Sequence, residues 1–325
     1  MSGIILPCVT DHLVLSTIAG AADLLAEDLR AMASVRSVRQ TSPHTVECVV
    51  DGPLDELAAC PLYSTAAVRD LQRSLRSGVL SCLEPPVKFR VGDRDPVRRR
   101  AMIADFEQRC GWLNRPGEWD VNLERSADGW VVQYGPLAWP RRFGSLRRLP
   151  WSTNLIAAEV LVRLAKIRPH QTVLDPFCGT GTILLAARRR EPTVRLLGAD
   201  HDPHALALAG YNTKPWVPNV VRAEAGSLPV ADGSVDRVVA NLPFGKQVGS
   251  HRSNRGLYPG VLREIDRVLA PAGRVVLLTE DKRLLRRVVE RQRGLKVVRE
   301  RLLRYGGASP TAYVLTRLGR SAESR

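Results

Sequence analysis

Asp175-Pro176-Phe177-Cys178-Gly179-Thr180-Gly181-Thr182 is the stretch that decides how the rest of the chain is read. It follows the strand-forming run Thr172-Val173-Leu174 and opens an apolar run through Ile183, Leu184, Leu185 and Ala187. That pattern predicts strand, tight loop and helix. Gly179 and Gly181 let the backbone take left-handed angles and approach a ligand closely, and the N–H groups at the helix start favour a carboxylate or a phosphate. Two familiar nucleotide loops do not fit the spacing. A dinucleotide fingerprint needs a third glycine where Leu184 stands, and a P-loop needs a lysine where Thr182 stands.

Working outward, the next two strand-like runs, 194–199 and 219–223, lead into Asp200 and Glu224. An acid at the end of the second strand of a doubly wound sheet suits a ribose diol. A fourth run, 235–240, leads into Asn241-Leu242-Pro243-Phe244-Gly245. Helical patterns at 182–190, 203–212, 257–269 and 282–293 alternate with these strands and with one at 274–279. The rhythm predicts a mainly parallel sheet covered on both faces. The ending differs: 295–305, a Gly306-Gly307 break and 311–317 read as a hairpin.

The series Asp-Pro-Phe-Cys-Gly-Thr-Gly-Thr, Gly-Ala-Asp200 and Asn-Leu-Pro-Phe resembles the S-adenosylmethionine-dependent amino-methyltransferases. More narrowly, residues 241–281 (NLPFGKQVGSHRSNRGLYPGVLREIDRVLAPAGRVVLLTED) resemble the THUMP-domain tRNA guanine-N2 methyltransferases. The resemblance covers most of 150–317, and Ser16-Thr17-Ile18-Ala19-Gly20 with Leu24, Leu25 and Leu29 is similar to the start of those proteins. It implies a Rossmann-like class I α/β sheet with an antiparallel last strand, S-adenosylmethionine as cofactor, and tRNA or another structured RNA as partner. A small activating subunit is also known among such proteins. In the implied pocket, Gly179 and Gly181 face the methionine end of the cofactor, and Phe177, Thr182 and Asn241 are further cofactor contacts. Asp175 shapes the loop or faces the amino group, Asp200 takes the ribose hydroxyls, and Glu224 lies on the adenine side.

The second motif carries the chemistry. An exocyclic amine is a poor nucleophile because its lone pair is delocalised into the ring, and acceptors on both amine hydrogens counter that. Asn241 offers a side-chain oxygen for one hydrogen and Leu242 its backbone carbonyl for the other. Pro243 restrains Leu242 to an extended conformation. Phe244 gives a flat face for a flipped base, a contact worth roughly 1–3 kcal/mol. No metal is required, since the sulfonium already makes the methyl electrophilic. The same scheme serves any exocyclic amine, so guanine N2 of ribosomal RNA and adenine N6 stay open. So does, outside catalysis, an RNA-binding or assembly factor that keeps the fold.

Composition bounds the setting. The net charge of +15 is uneven: Lys and Arg against Asp and Glu number 15 to 18 over residues 1–140 but 33 to 15 over 141–325. A polyanion partner for the second half follows. Arg141 and Arg142, in the run Arg141-Arg142-Phe143-Gly144-Ser145-Leu146-Arg147-Arg148, are candidate RNA contacts, as are Lys246, Arg252 and Arg255 beyond the Asn-Leu-Pro-Phe motif. The six cysteines lie far apart with no C-x-x-C pair, which argues against a zinc site or a disulfide framework. No run approaches the roughly 18 apolar residues of a membrane span, and the start lacks a basic n-region, so a cytoplasmic protein is expected.

Four segments are expected. Residues 1–85 read as a small α+β unit with helices at 21–32, 54–59 and 64–75, which the resemblance implies is ferredoxin-like. Residues 86–140 take the place of a compact THUMP-like RNA-binding domain, with a helix at 96–110 and a hairpin at 119–134. A basic linker, 141–150, leads to a methyltransferase domain over 151–325, which opens with a helix at 153–166 capped by Ser152 or Thr153.

Overall fold

A computed structural model describes residues 7–126, 129–214, 219–244 and 251–318, and divides the chain into two compact units, Met1–Ser145 and Leu146–Arg325. The first unit runs β1 (Cys8–Ser16), α1 (Ala22–Arg30), β2 (Val35–Ser42), β3 (Thr45–Pro53), α2 (Asp55–Ala59), β4 (Thr65–Val68) and α3 (Leu71–Ser77). It continues through β5 (Lys88–Gly92), α4 (Pro96–Cys110), β6 (Leu113–Asn114), β7 (Val121–Ser126), β8 (Gly129–Tyr134) and α5 (Trp139–Phe143). All eight strands join one sheet in the order β2-β3-β1-β4-β8-β7-β5-β6. Segments 1–85 and 86–140 therefore share a sheet, stitched where β4 pairs with β8.

That seam explains one departure from the sequence reading. A helix is expected over 64–75, yet Thr65–Val68 forms a strand, because Ala66, Ala67 and Val68 are buried in the middle of the sheet. Helix α4 matches its expected limits. The Asp95 carboxylate accepts from the N–H groups of Val97 and Arg98 at its start, and Gly111 ends it with φ 66°. The stretch expected to be a linker at 141–150 begins inside this unit, as the second half of α5.

The second unit alternates α6 (Leu155–Ala165), β9 (Thr172–Asp175), α7 (Thr182–Arg190), β10 (Arg195–Asp200), α8 (Pro203–Asn212), β11 (Asn219–Arg222) and β12 (Val235–Asn241). It closes with α9 (His251–Val268), β13 (Leu269–Thr279), α10 (Lys282–Arg291), β14 (Leu295–Leu302) and β15 (Thr311–Arg317). The sheet order is β11-β10-β9-β12-β13-β15-β14, parallel as far as β13, with β15 antiparallel to both its neighbours. Val238, Val239 and Ala240 of β12 are all fully buried, as a central strand covered on both faces requires. Helix α9 starts six residues earlier than its apolar pattern suggests. Its first turns carry polar residues, and the buried run of Val261, Leu262, Ile265 and Val268 comes only later. Among the described residues no helix is long and apolar enough to cross a membrane.

Candidate active site

Strands β10, β9 and β12 are neighbours and parallel, so Asp200, Asp175 and Asn241 arrive at one carboxyl edge of the sheet. Ligands bind at that edge in doubly wound folds. A cleft of about 820 Å³ opens there, lined by both motifs: Phe177, Gly179 and Thr182 from one, Asn241 to Phe244 from the other, with Asp200 and Glu224.

The two-glycine turn is built from backbone bonds. Gly179 and Gly181 have φ of 49° and 81°, values that a side chain would strain. The Gly181 N–H donates to the Cys178 carbonyl, and the Gly179 N–H donates to Asp200 Oδ2 at 2.8 Å. Asp200 thus ties the end of β10 to the turn, and its other oxygen accepts from Asp202 N–H. Gly181 is also the N-cap of α7 and supplies no side chain, which leaves the first N–H groups of that helix for an anion. Asp175 lies beneath the turn rather than in the cleft wall. It is fully buried, its Oδ1 accepts from Phe177 N–H, and its Oδ2 has no partner. Burial lifts its carboxyl well above the usual aspartate range, against the pull of that hydrogen bond.

The second motif is fastened from three sides. Leu242 N–H donates to Leu278 of the neighbouring strand, and the Pro243 carbonyl accepts from both Asn254 Nδ2 at 2.9 Å and the Tyr258 hydroxyl at 2.8 Å. Tyr258 also pairs with the Thr279 hydroxyl, and it is buried, which raises its hydroxyl pKa. The Pro243 carbonyl is thus occupied, and the Leu242 carbonyl and the Asn241 carboxamide are the motif's candidate acceptors for an amine. Asn241 Nδ2 donates to Thr153 Oγ1 at 3.2 Å, and its Oδ1 is buried with no partner. A buried acceptor left unpaired costs about 1–3 kcal/mol, which a bound amine would recover.

Thr153 is a residue that the sequence reading placed in another role. Asn154 caps α6, accepting from Ala157 N–H at 3.1 Å, and Thr153 is thereby free to hold Asn241. Its neighbour Ser152 shares a hydrogen bond with Thr180 of the glycine turn, so one short segment touches both motifs. Trp151, 44% exposed, and Asn254 line the cleft as well. Their sequence signal was weak: Trp-Ser-Thr-Asn reads as a helix start, and Asn254 falls in a polar stretch with no period.

The candidate RNA contacts scatter. Arg142 belongs to the first unit, where its guanidinium donates to the carbonyls of Ala58, Cys60 and Tyr63 and lies 3.8 Å from the Tyr63 ring centroid. That side chain is a fastening within α5 and its neighbours, not a free phosphate anchor. Arg141 donates to the Trp119 carbonyl. Arg255 lies on α9 and lines a separate groove. Lys246 and Gly245 lie outside the described residues, as does the side chain of Arg252.

The residues present fit S-adenosylmethionine. The cleft is of cofactor size, an uncapped helix start suits the methionine carboxylate, Asp200 stands at the second strand end, and Phe177 and Leu257 supply apolar wall. Fold and cleft together define a class I S-adenosylmethionine-dependent amino-methyltransferase. Residues 153–310 match the family described as UPF0020, RMKL-like, methyltransferase domain. A tRNA (guanine(6)-N2)-methyltransferase of Thermus thermophilus is 36% identical over 251 residues, which is 75% of this chain and 71% of that protein. Human THUMP3, a tRNA (guanine(6)-N(2))-methyltransferase, is 33% identical over 185 residues, 52% of this chain and 36% of the relative. The crystal structure of TrmN from Thermus thermophilus matches with a TM-score of 0.74 at 27% identity, covering 94% of this chain and 99% of that one. The chain belongs to the family of tRNA (guanine-N2)-methyltransferases.

Proposed function

We propose that this protein transfers a methyl group from S-adenosylmethionine to the exocyclic N2 of a guanosine in tRNA. The observation that carries the reading is the Asn241 carboxamide. Its amino group is committed to Thr153, its oxygen is buried and unpaired, and it shares a cleft with the two-glycine turn. When bound, S-adenosylmethionine supplies an electrophilic methyl on its sulfonium. The protein's own part is alignment and electrostatics: Asn241 Oδ1 and the Leu242 carbonyl accept from the two amine hydrogens and return electron density to the nitrogen. Phe244 offers the entering base a ring to stack on. The N-terminal unit carries the ferredoxin-like and THUMP-like parts in this reading, and the cytoplasm, where tRNA is modified, is the compartment.

The test is mass spectrometry of nucleosides from tRNA and ribosomal RNA of a deletion strain, with the purified protein and labelled cofactor then added back. Loss of N2-methylguanosine from tRNA, and its return on addition, is the expected result. Loss from ribosomal RNA alone, or loss of N6-methyladenosine, would overturn the choice of substrate.

A further inference from the structure

A groove of about 720 Å³ lies between α9 and α10, apart from the methyl-transfer cleft. Arg255 and Arg263 of α9 and Arg287 and Arg291 of α10 line it, over a floor that includes the buried Leu284 and Val288. All four arginines are exposed. The spacing is helical on both sides: 255 and 263 are eight apart, 287 and 291 four apart, so each pair forms a stripe facing the other. The one carboxylate in the lining among the described residues, Asp266, lies 3.6 Å from Arg317 Nε. Arg286, on the same helix α10, makes a two-point contact with Glu300. The helix thus pairs the arginine that points at β14 and gathers the groove arginines beside those of α9.

Like charges brought together in one groove repel one another, and an arriving anion relieves that repulsion. Guanidinium forks match phosphate oxygens in geometry. From Arg255 to Arg263 the helix advances roughly 12 Å, enough for a length of backbone rather than one small anion. Arg255 directly follows Asn254, which lines the cleft, so the groove begins where the cleft ends. We propose that this groove holds backbone phosphates of the RNA that flank the nucleotide whose base enters the cleft. The inference rests on the RNA methyltransferase reading above.

The test uses the full chain with Arg263→Glu, Arg287→Glu and Arg291→Glu combined, the matching Lys variant, and a control reversing Arg195, Arg299 and Arg304, which are exposed elsewhere on the same unit. Unmodified tRNA binding is measured across a salt series, and S-adenosylmethionine binding by calorimetry. The groove reversal is expected to weaken tRNA binding at least about tenfold and to lower the salt slope by about 2–3, one contact at a time, with cofactor affinity unchanged. The Lys variant keeps the wild-type slope. Wild-type affinity and slope in the groove reversal, an equal loss in the control, or an equal loss in the Lys variant would each overturn the groove. A wild-type protein that methylates no tRNA would instead overturn the reading on which it rests.

Discussion

Arg142 in the N-terminal unit and Asn241 in the C-terminal unit are both polar side chains drawn into the protein, and they spend their hydrogen bonds in opposite ways. Arg142 turns inward onto three backbone carbonyls and the face of Tyr63. Asn241 gives half of its carboxamide to Thr153 and leaves the other half unpaired in a cleft. A guanidinium whose two terminal nitrogens are spent on backbone carbonyls of its own unit supports stability. A buried group left half-made is a cost to the free protein that only a ligand removes, and so marks chemistry.

The largest expected effect breaks the functional side of that contrast. Asn241→Ala should lower turnover by about 10²–10³-fold, the range for removing one well-placed polar group at a reacting centre. Cofactor affinity should stay within a few-fold, with the melting temperature little changed. Turnover equal to wild type in single-turnover assays would sink the role given to the carboxamide.

Arg142→Ala should do the reverse. Losing charge-assisted bonds to the carbonyls of Ala58, Cys60 and Tyr63 is expected to cost about 3 kcal/mol of stability, read by urea unfolding. A change under half a kcal/mol would mean that the guanidinium is a surface group after all. Activity per folded molecule on free S-adenosylmethionine and substrate should move far less than it does in Asn241→Ala.

Thr153→Val sharpens the comparison, since it removes the hydroxyl that orients Asn241 while keeping the shape. About a tenfold fall in kcat is expected, equivalent to about 1.4 kcal/mol, with little change in cofactor affinity and recovery in Thr153→Ser. Equal losses in the Val and Ser variants would assign Thr153 to packing alone.

The C-terminal unit was legible because its signals agree: β-branched runs, helical runs and two motifs recur in the order that a parallel sheet needs. Helices α7 and α8 fall within their expected limits, and Asp200 and Asn241 stand at strand ends. Thr153 was not legible in its real role, because a threonine before an apolar helix has the same signature whether it caps the helix or reaches across to another loop. Only the presence of Asn154 as the actual cap separates the two. The N-terminal unit was harder for a related reason. Four residues at 65–68 become a strand because β1, earlier in the chain, pairs with all of them and β8, more than sixty residues on, pairs with Ala67 and Val68, and local pattern carries no trace of either partner. Arg142 shows the same limit for charge: composition counts an arginine but not the carbonyls waiting for it.

Asp175 is the smallest test and sits between the two extremes, with one carboxylate oxygen used and one not. Because burial raises its folded pKa, the folded, ligand-free protein holds this proton more tightly than the unfolded chain does. Its contribution therefore favours folding most at low pH and is lost as pH rises from the ordinary aspartate range through the raised value. Asp175→Asn keeps an acceptor for Phe177 N–H and cannot ionise. Stability curves measured without cofactor should then converge at low pH and separate in favour of the variant as pH rises. Curves that stay parallel would show that the Asp175 carboxyl ionises beneath the turn as readily as it does in the unfolded chain.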